Sequence, residues 1–315
     1  MKKYYCLLFL LALVKLSFGQ DYVLNQYQQV PLLLNPALTG SSCGVRITSF
    51  YYHTSFFSTS MYQTYGAAID APFHLKNNFK LGVGYGYSAD VAGETKFGGR
   101  NHTFSAAISK SIKRTSVNHS FSLGIQTGLA QRSLDGDGLR WPSQITRDGF
   151  NPDLPSGEPS FKFSVEYFDI NGGLDWKADF GNKNSMAAGV ALFHFNQPDI
   201  SFITNNVTLN RRMTAYIAGE YRFLKNITIL PSVYYTKQGS QDLYNLSFGT
   251  KYLINKDASI ALIGGYIKNN RSWIGLNLNV GRFSMSGTYG IKNVDFIEKI
   301  EFTTSFILNS KNCND

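Results

Sequence analysis

Cysteine, charged residues and long apolar runs are all scarce in this sequence. It contains 3 cysteines in 315 residues, and only 16% of its residues are charged. Beyond the first 19 residues, no stretch approaches the roughly 20 consecutive apolar residues that a membrane-spanning helix needs. The sequence therefore predicts no spanning helix after residue 19. If the rest of the chain crosses a membrane, it must do so as a closed barrel, because only helices and closed barrels satisfy every backbone polar group in lipid.

Sequence signatures of catalysis and of cofactor binding are also missing. There is no G-x-S-x-G segment, no phosphate-binding loop and no dinucleotide fingerprint. None of the 5 histidines has metal-ligand spacing with another histidine, a cysteine or a carboxylate. The basic residues are scattered along the chain, which argues against nucleic acid as a partner. We therefore expect a protein that is not an enzyme, uses no cofactor or metal and binds no nucleic acid.

The first 19 residues have the pattern of a secretory signal peptide. A short basic start, Met1-Lys2-Lys3, precedes a mostly apolar stretch, and Ser17-Phe18-Gly19 places small residues before a cleavage site. A membrane anchor is the alternative, but the apolar run is too short and contains Lys15. Cleavage after Gly19 removes three lysines and lowers the formal charge from +9 to +6.

A two-residue alternation recurs from about residue 44 to the C-terminus and predicts β-strands. In 121–130, apolar residues take most odd positions, and Ser, Gly, Gln and Ala take the even ones. A polar face with so few charges is typical of the lumen of an outer-membrane barrel rather than of a solvated sheet. We predict an all-β fold, a transmembrane antiparallel β-barrel of 14 strands, over 44–54, 59–71, 79–89, 100–112, 118–133, 161–177, 185–195, 210–223, 227–237, 241–254, 258–267, 271–280, 282–290 and 299–309.

The connections between these strands alternate in length. The longer ones are 90–99, 134–160, 196–209 and 291–298, and shorter turns join the other ends of the strands. Bacterial barrels combine an even strand number with short periplasmic turns and long outer loops. The pattern predicts location in the cell outer membrane, in contact with its lipid, with both termini in the periplasm.

Two strands carry irregularities. In 161–177 the apolar positions change from odd to even, which indicates either a β-bulge or a second element in the preceding loop. Pro231 lies within a strand pattern and removes a ladder hydrogen bond, so a bulge or a local break is expected there.

Five charged residues fall on the polar faces of the predicted strands, and these are Arg46, Asp70, Glu220, Arg222 and Lys251. A barrel of 14 strands leaves space within. The charges either pair across the lumen and close it or line a channel. The sparse Ser, Gly and Asn interior favours a plugged barrel.

The segment before the first strand contains an apolar cluster and two turn signals. Residues 26–40 read Q-Y-Q-Q-V-P-L-L-L-N-P-A-L-T-G. This segment resembles the opening of the PorP/SprF family of type IX secretion membrane proteins, a pattern like Q-Y-x-x-x-P-x-x-L-N-P-A-x-T-G. Further segments resemble the family over nearly the whole mature chain: 168–174, 192–199, the basic pair Arg211-Arg212, 230–232 and 238–239. One departure lies at 52–56, where Y-H-T-S-F replaces the family's Y-R-x-Q-W.

The candidate partner-binding residues come from these segments. Gln26, Tyr27, Asn35 and Pro36 belong to a part that either packs beneath or inside the barrel, with turns at 35–36 and 39–40, or docks a periplasmic partner. His194, Asn196 and Pro198 form either a structural corner or a contact for an extracellular partner. Arg211 and Arg212 form either a rim salt bridge or part of a site for an anionic ligand.

The resemblance implies a non-enzymatic component of type IX protein secretion, with gliding motility or surface adhesion as outputs. We expect a binding platform for a secreted, adhesin-type protein with a C-terminal sorting domain, linked to periplasmic components of the secretion or gliding machinery. The alternatives are a passive or substrate-specific outer-membrane pore, like a porin or a fatty-acid channel, and a soluble secreted β-protein.

The expected division of the chain is a signal peptide (1–19), an N-terminal periplasmic or plug segment (20–43), the barrel (44–309) and a C-terminal tail (310–315). Cys43 and Cys313 flank the barrel. Because the first and last strands of a closed barrel are neighbours, the two cysteines either form a disulfide or remain as free thiols.

Overall fold

The computed structural model describes residues 21–56, 59–93, 96–135, 140–157, 163–181, 184–202, 207–268, 271–292 and 297–308. The expected signal peptide and C-terminal tail lie outside these residues. Cys43 is disulfide-bonded, and Cys313, its partner in one of the two alternatives above, lies outside the described residues.

The fold is a closed antiparallel barrel of 14 strands, as predicted. Each barrel strand pairs with its neighbour along the chain, and the last strand closes on the first through Val45 and Leu308. Two further short strands pair only with each other. The strands are β1 (Val45–Phe56), β2 (Thr59–His74), β3 (Phe79–Ala92), β4 (Phe97–Arg114), β5 (Val117–Ser133), β6 (Ile145–Thr146), β7 (Gly149–Phe150), β8 (Ser164–Asp179), β9 (Ser185–Phe193), β10 (Arg212–Leu224), β11 (Ile227–Gln238), β12 (Gln241–Leu253), β13 (Ala258–Ile267), β14 (Arg271–Val280), β15 (Phe283–Lys292) and β16 (Ile297–Leu308).

The alternation in the sequence determines which face of each strand points outward. In β5 the odd-numbered Leu123, Ile125 and Leu129 are exposed on the outer face, whereas Gln126 and Ala130 are buried on the lumen side. A period of two places alternate side chains on opposite faces of a strand. The apolar set therefore faces lipid.

Of the two expected irregularities, one lies in a strand and the other in a loop. Pairing between β10 and β11 is interrupted opposite Pro231 and resumes in the same register, which is the local break that a missing N–H produces. By contrast, β8 pairs with β5 from Asp179 to Ser164 without a shift. The expected bulge is absent from 164–179, because Val165 and Tyr167 simply face the lumen, and the preceding loop contains the β6–β7 pair as a second element. Phe161 lies outside the described residues.

The two ends of the barrel differ in their connections. At one end, here named the turn end, the links are short: 75–78, 115–116, 180–184, 225–226, 254–257 and 281–282. At the other, the loop end, two large connections join β5 to β8 (134–163) and β9 to β10 (194–211). The expected long loops at 90–99 and 291–298 are shorter, since β3, β4, β15 and β16 extend to leave only 93–96 and 293–296.

Residues 21–44, here named the plug, lie inside the barrel. They form a four-residue helix, α1 (Pro31–Leu34), between 3-10 turns at Tyr27–Gln29 and Pro36–Leu38. No helix among the described residues has the length and hydropathy needed to span a membrane.

The plug runs from the loop end to the turn end. Asp21 is hydrogen-bonded to Gln238, the last residue of β11 at the loop end. Leu308 ends β16 at the turn end, next to Val45. The first and last described residues thus lie at opposite ends of the barrel. The termini themselves lie outside the described residues, and their location in the periplasm stays a prediction.

Candidate functional site in the barrel lumen

The plug is attached to the barrel through four groups of polar contacts, and the first is centred on Glu301 of β16. The Glu301 carboxylate accepts hydrogen bonds from the backbone N–H of Asn25 at 2.6 and 2.9 Å, and from Thr288 at 3.2 Å. Lys299 forms an ion pair with the same carboxylate at 3.1 Å and donates to the Val23 carbonyl oxygen at 2.7 Å. Glu301 is only 2% exposed. A buried carboxylate is stable only when it is paired and hydrogen-bonded, so the plug supplies donors that this glutamate requires.

The second group holds the Asn35-Pro36 turn against β5, β8 and β9. The Asn35 amide donates to the carbonyl oxygens of Leu174 and Val190 at 2.8 and 3.2 Å, and its own oxygen accepts from the Ala37 N–H at 2.9 Å. Pro36 lies against Gly124, where a Cβ would come within 2.3 Å of the Pro36 carbonyl carbon. The wall is thus shaped to admit the plug backbone.

The third group lies at the turn end and involves two residues predicted as lumen charges. Arg46 forms a two-bond ion pair with Asp70 at 2.9 and 2.7 Å, and also donates to the Leu38 carbonyl oxygen at 3.2 Å. The Gly40 N–H donates to Asp70 at 2.7 Å. Gly40 has φ +66°, a left-handed conformation that favours glycine. The ion pair therefore also fastens the end of the plug.

The fourth group lies near the loop end and is centred on His194. Its Nδ1 lies 3.0 Å from Asp169, and its Nε2 lies 2.7 Å from the Asp21 carboxylate of the plug. Arg212 lies 3.4 Å from the same Asp21 oxygen. The His194 backbone N–H donates to Asn171 at 2.8 Å. Two cations and two carboxylates thus meet at the N-terminal end of the described chain.

These charges shift the acid–base behaviour of the group. Burial alone would lower the pKa of His194, but the carboxylates of Asp21 and Asp169 raise it to about 9. Burial alone would raise the pKa of Asp21, but His194 and Arg212 hold it well below its usual range. His194 is therefore an imidazolium at neutral pH, bonded to two carboxylates.

The attachment of Asp21 is therefore expected to weaken at alkaline pH. A pKa raised from 6.5 to about 9 corresponds to about 3 kcal/mol. This contribution is fully present below pH 6.5 and is lost as the pH rises through 9. Equilibrium unfolding in detergent should show wild-type protein losing most of this stability between pH 7 and pH 10. His194→Gln should lack that loss; equal slopes for the two proteins would contradict the assignment.

Apolar contacts complete the packing between plug and wall. Tyr27 stacks on Tyr234 of β11 with ring centroids 4.5 Å apart, and both belong to a buried cluster with Leu34 and Tyr216. A second cluster joins Leu24 and Val30 of the plug to Phe50 of β1. The hydrophobic core of this protein therefore lies between the plug and the lumen face of the barrel.

The predicted partner-binding residues of the plug are all enclosed. Gln26, Tyr27, Asn35 and Pro36 are buried between the plug and the wall. Packing inside the barrel was one of the two expected placements. A partner would reach these side chains only if the plug left the lumen, and their binding of one stays a prediction.

The predicted loop residues divide between a corner and the lumen. Asn196 donates to the Phe168 carbonyl oxygen at 2.7 Å and accepts from the Ile170 N–H at 3.0 Å, so it continues the pairing of β8 beyond the end of β9. Pro198 is buried beside it. Arg211 points outward, where its guanidinium donates to the Phe195 carbonyl oxygen at 3.0 Å. Arg212 points inward to Asp21.

The remaining predicted lumen charges lie toward the turn end. Lys251 pairs with Glu220 at 2.5 Å across neighbouring parts of the wall. The Arg222 backbone N–H donates to Asn184 at 2.7 Å. No group of three or more His, Cys, Asp or Glu side chains among the described residues is arranged to hold a metal ion.

The plug borders a cavity on each side. The loop-end cavity has a volume of 130 Å³, and its lining includes Asp21, Tyr22, Arg132, Tyr167 and Tyr234. The turn-end cavity has a volume of 500 Å³ and a more polar lining that includes Gln28, Lys177, Lys251 and Asn279. The plug therefore lies between a cavity toward the loop end and a cavity toward the turn end.

Several residues of the site were not identified from the sequence: Asp21, Asn25, Asp169 and Glu301. Glu301 and Asn25 lie 276 residues apart, and their contact depends on the closure of the barrel. Strand alternation alone would have placed Asp169 and Glu301 on the lumen face. No local signal marks the plug residues that contact them.

Barrels of known structure share this architecture. The toluene transporter TodX of Pseudomonas putida is 11% identical, with a TM-score of 0.50, over 87% of this chain and 91% of that one. The toluene transporter TbuX of Ralstonia pickettii is also 11% identical, with a TM-score of 0.51, over 89% and 94% of the two chains. At such identity the similarity shows the fold alone, that of an outer-membrane β-barrel.

Sequence comparison identifies the protein family. No curated protein matches the chain. The family model of the type IX secretion system membrane proteins PorP/SprF matches residues 16–309, which include the whole barrel and the plug. The chain belongs to the PorP/SprF family of type IX secretion system membrane proteins.

Proposed function

We propose that this protein is a closed platform that binds a secreted polypeptide at the loop end of the barrel. The observation that carries the proposal is the plug, which is held in the lumen by buried contacts at both ends. A barrel closed in this way is suited to binding rather than to free diffusion. The partner we expect is an adhesin-type protein with a C-terminal sorting domain, and no catalysis is required of the barrel.

The loop-end connections offer a surface for such a partner. Ile145 and Phe150 in the β5–β8 connection, and Phe195 and Val207 in the β9–β10 connection, are exposed outside the barrel strands. Apolar side chains that are exposed outside the barrel strands are available for contact with a partner. We name these four residues the loop-end surface.

The β5–β8 connection also has internal structure. The Gln144 amide donates to the Leu154 carbonyl oxygen at 2.8 Å, and β6 pairs with β7. The Arg140 guanidinium lies over the Phe150 ring, 5.1 Å from its centroid. A loop that is ordered before binding loses less conformational entropy when it binds, which favours a role in recognition.

Replacement of apolar residues of this surface by aspartate tests the proposal. The double variant Ile145→Asp/Phe195→Asp should lower the amount of secreted polypeptide recovered with the tagged barrel at least about tenfold, because a charge buried in an apolar interface opposes binding. Deletion of 134–160 should lower it at least as much. The measurement is a detergent pull-down from the native outer membrane with mass spectrometry.

A matched control makes the same change at the other end. Leu75 and Ile254 are similarly exposed at the turn end, and Leu75→Asp/Ile254→Asp should leave the secreted polypeptide bound. Under this proposal the turn end faces the periplasm, so the control variant should instead lose periplasmic secretion or gliding components. Equal recovery of the secreted protein with all variants would contradict the platform.

A substrate-specific pore is the second candidate. It is favoured by the architecture shared with the toluene transporters TodX and TbuX and by the cavities on both sides of the plug. Conductance across a planar bilayer distinguishes the two candidates, since a closed platform should carry no ionic current and an open pore should conduct.

A further inference from the structure

The contacts of Asp21 amount to a binding site for one carboxylate. The carboxylate lies between His194 Nε2 and the Arg212 guanidinium, and Asp169 fixes the histidine from its other nitrogen. The His194 side chain is buried, and the Arg212 side chain is 13% exposed. Arg212 Nε has no hydrogen-bond partner of good geometry among the described residues. The cations are thus fixed by the barrel, whereas the anion is supplied by the plug.

The charge balance shows what this site requires. His194 and Arg212 carry two positive charges, and Asp169 carries one negative charge. Without Asp21 the group would keep a net positive charge in a buried setting, which one further anion would neutralise. The same cavity is also lined by Arg100, Arg132 and Asp90, so its cations outnumber its carboxylates once Asp21 is removed. The electrostatics favour an anion.

The loop-end cavity beside this site has an aromatic and aliphatic part, and the rest of its lining is polar or charged, including Asp90, Arg100 and Gln126. Tyr22, Leu24, Leu33, Phe193 and Tyr234 are among its lining residues. Its 130 Å³ is similar to the volume of about 150 Å³ that accommodates benzene in an engineered apolar cavity. The cavity therefore has room for one small apolar group and not for a long acyl chain.

Asp21 is attached to the wall separately from the rest of the plug. Its other hydrogen bond runs from its backbone N–H to Gln238 at 2.9 Å. The contacts at Asn25, Asn35 and Gly40 hold the rest of the plug independently. Asp21 can thus leave its position without removal of the plug.

We propose that the loop-end cavity binds a carboxylate attached to an apolar group about the size of a benzene ring, in competition with Asp21. Two sources carry this chemistry: the C-terminal residue of a polypeptide and a free small carboxylic acid. The inference rests on the cavity and the Asp21 contacts, and it stands whether or not the loop-end surface binds a secreted protein.

Titration calorimetry of the purified full-length barrel in an uncharged detergent tests the inference. The probes are the acids 3-phenylpropionate and N-acetyl-Gly-Phe, and each is compared with its uncharged amide. Wild-type protein should bind the acids weakly and the amides not at all. Asp21→Asn should bind the acids at least about tenfold more tightly, because removal of the competing carboxylate leaves the site available in a larger fraction of molecules.

Two further variants complete the test. Arg212→Gln should abolish binding of the acids, and Asp242→Asn, in an exposed ion pair with Lys268, should bind as the wild type does. Tighter binding of the peptide acid identifies a polypeptide C-terminus, and binding of 3-phenylpropionate that is equal or tighter identifies a free acid. Equal binding of acids and amides, or no binding by folded Asp21→Asn, would overturn the inference. Heat-dependent migration on gels verifies the folding of each variant.

Discussion

Replacement of Glu301 by alanine is expected to release the N-terminal half of the plug from the barrel wall. The carboxylate is buried and accepts bonds from the backbone of the plug, from Thr288 and from Lys299. Its removal leaves the Lys299 charge without its carboxylate and the Asn25 N–H without its acceptor. Loss of one partner of a buried ion pair destabilises proteins by about 3–5 kcal/mol. Hydrogen exchange at Tyr22–Gln26 should therefore accelerate by two orders of magnitude or more.

The control for this variant is Glu220→Ala. Glu220 also forms an ion pair with a lysine on the lumen side, but its side chain is 48% exposed. Exposed pairs contribute about 0–1 kcal/mol, so exchange at Tyr22–Gln26 should remain as in the wild type. If the amides of Tyr22–Gln26 exchanged as slowly in Glu301→Ala as in Glu220→Ala, the Glu301 carboxylate would not be required to hold the plug.

The second large effect is expected from a single methyl group at Gly124. An alanine Cβ at this position would lie 2.3 Å from the Pro36 carbonyl carbon and 2.4 Å from the Ala37 nitrogen. Both atoms belong to the backbone of a turn that Asn35 holds against β8 and β9, so neither can move without loss of those bonds. We expect Gly124→Ala to destabilise the docked plug by at least about 3 kcal/mol, the upper range for an overpacked core, as measured by urea-induced exposure of the plug to protease.

Gly172→Ala is the matched control, since Gly172 lies on the neighbouring strand and its Cβ would meet nothing closer than 3.7 Å. This variant should resist protease as the wild type does. Gly82→Ala provides a second test of the same idea, because its Cβ would lie 2.0 Å from the Thr39 carbonyl oxygen. Protection of the plug in both Gly82→Ala and Gly124→Ala would show that it does not occupy the lumen as described.

The strands could be predicted from the sequence because a period of two is a local property. Each of the 14 predicted spans corresponds to a barrel strand, and the alternation in 121–130 also gave the orientation of β5. The break at Pro231 was predictable for the same reason, since a missing N–H acts at its own position. The bulge considered at 161–177 is absent, because its prediction assumed that an aromatic residue such as Tyr167 must face lipid. In this barrel the plug gives lumen-facing aromatics an apolar partner.

The contacts of the plug could not be predicted, since they join residues that are distant in sequence. Asp21 and His194 are separated by 173 positions, and Asn25 and Glu301 by 276. Their meeting depends on barrel closure and on the depth to which the plug descends, and neither is encoded in a local pattern. The sequence did indicate that Arg46 and Asp70 face the lumen, but not that their ion pair also binds the Gly40 N–H.

The four groups of contacts connect the architecture to the proposed role. A plug attached at the loop end through Asp21 and at the turn end through Gly40 spans the barrel between the two surfaces that we assign to partners. A change at one end can reach the other only through the plug or the barrel wall. The proposed platform would use this connection between its two ends.

The measurement that tests the central claim most directly is single-channel recording of the purified wild-type barrel in a planar bilayer, beside Glu301→Ala. If the plug closes the lumen, the wild type should insert without measurable conductance, and Glu301→Ala should show intermittent openings as the plug loosens. A steady ohmic conductance from the wild type would contradict a closed platform and would establish the protein as a pore.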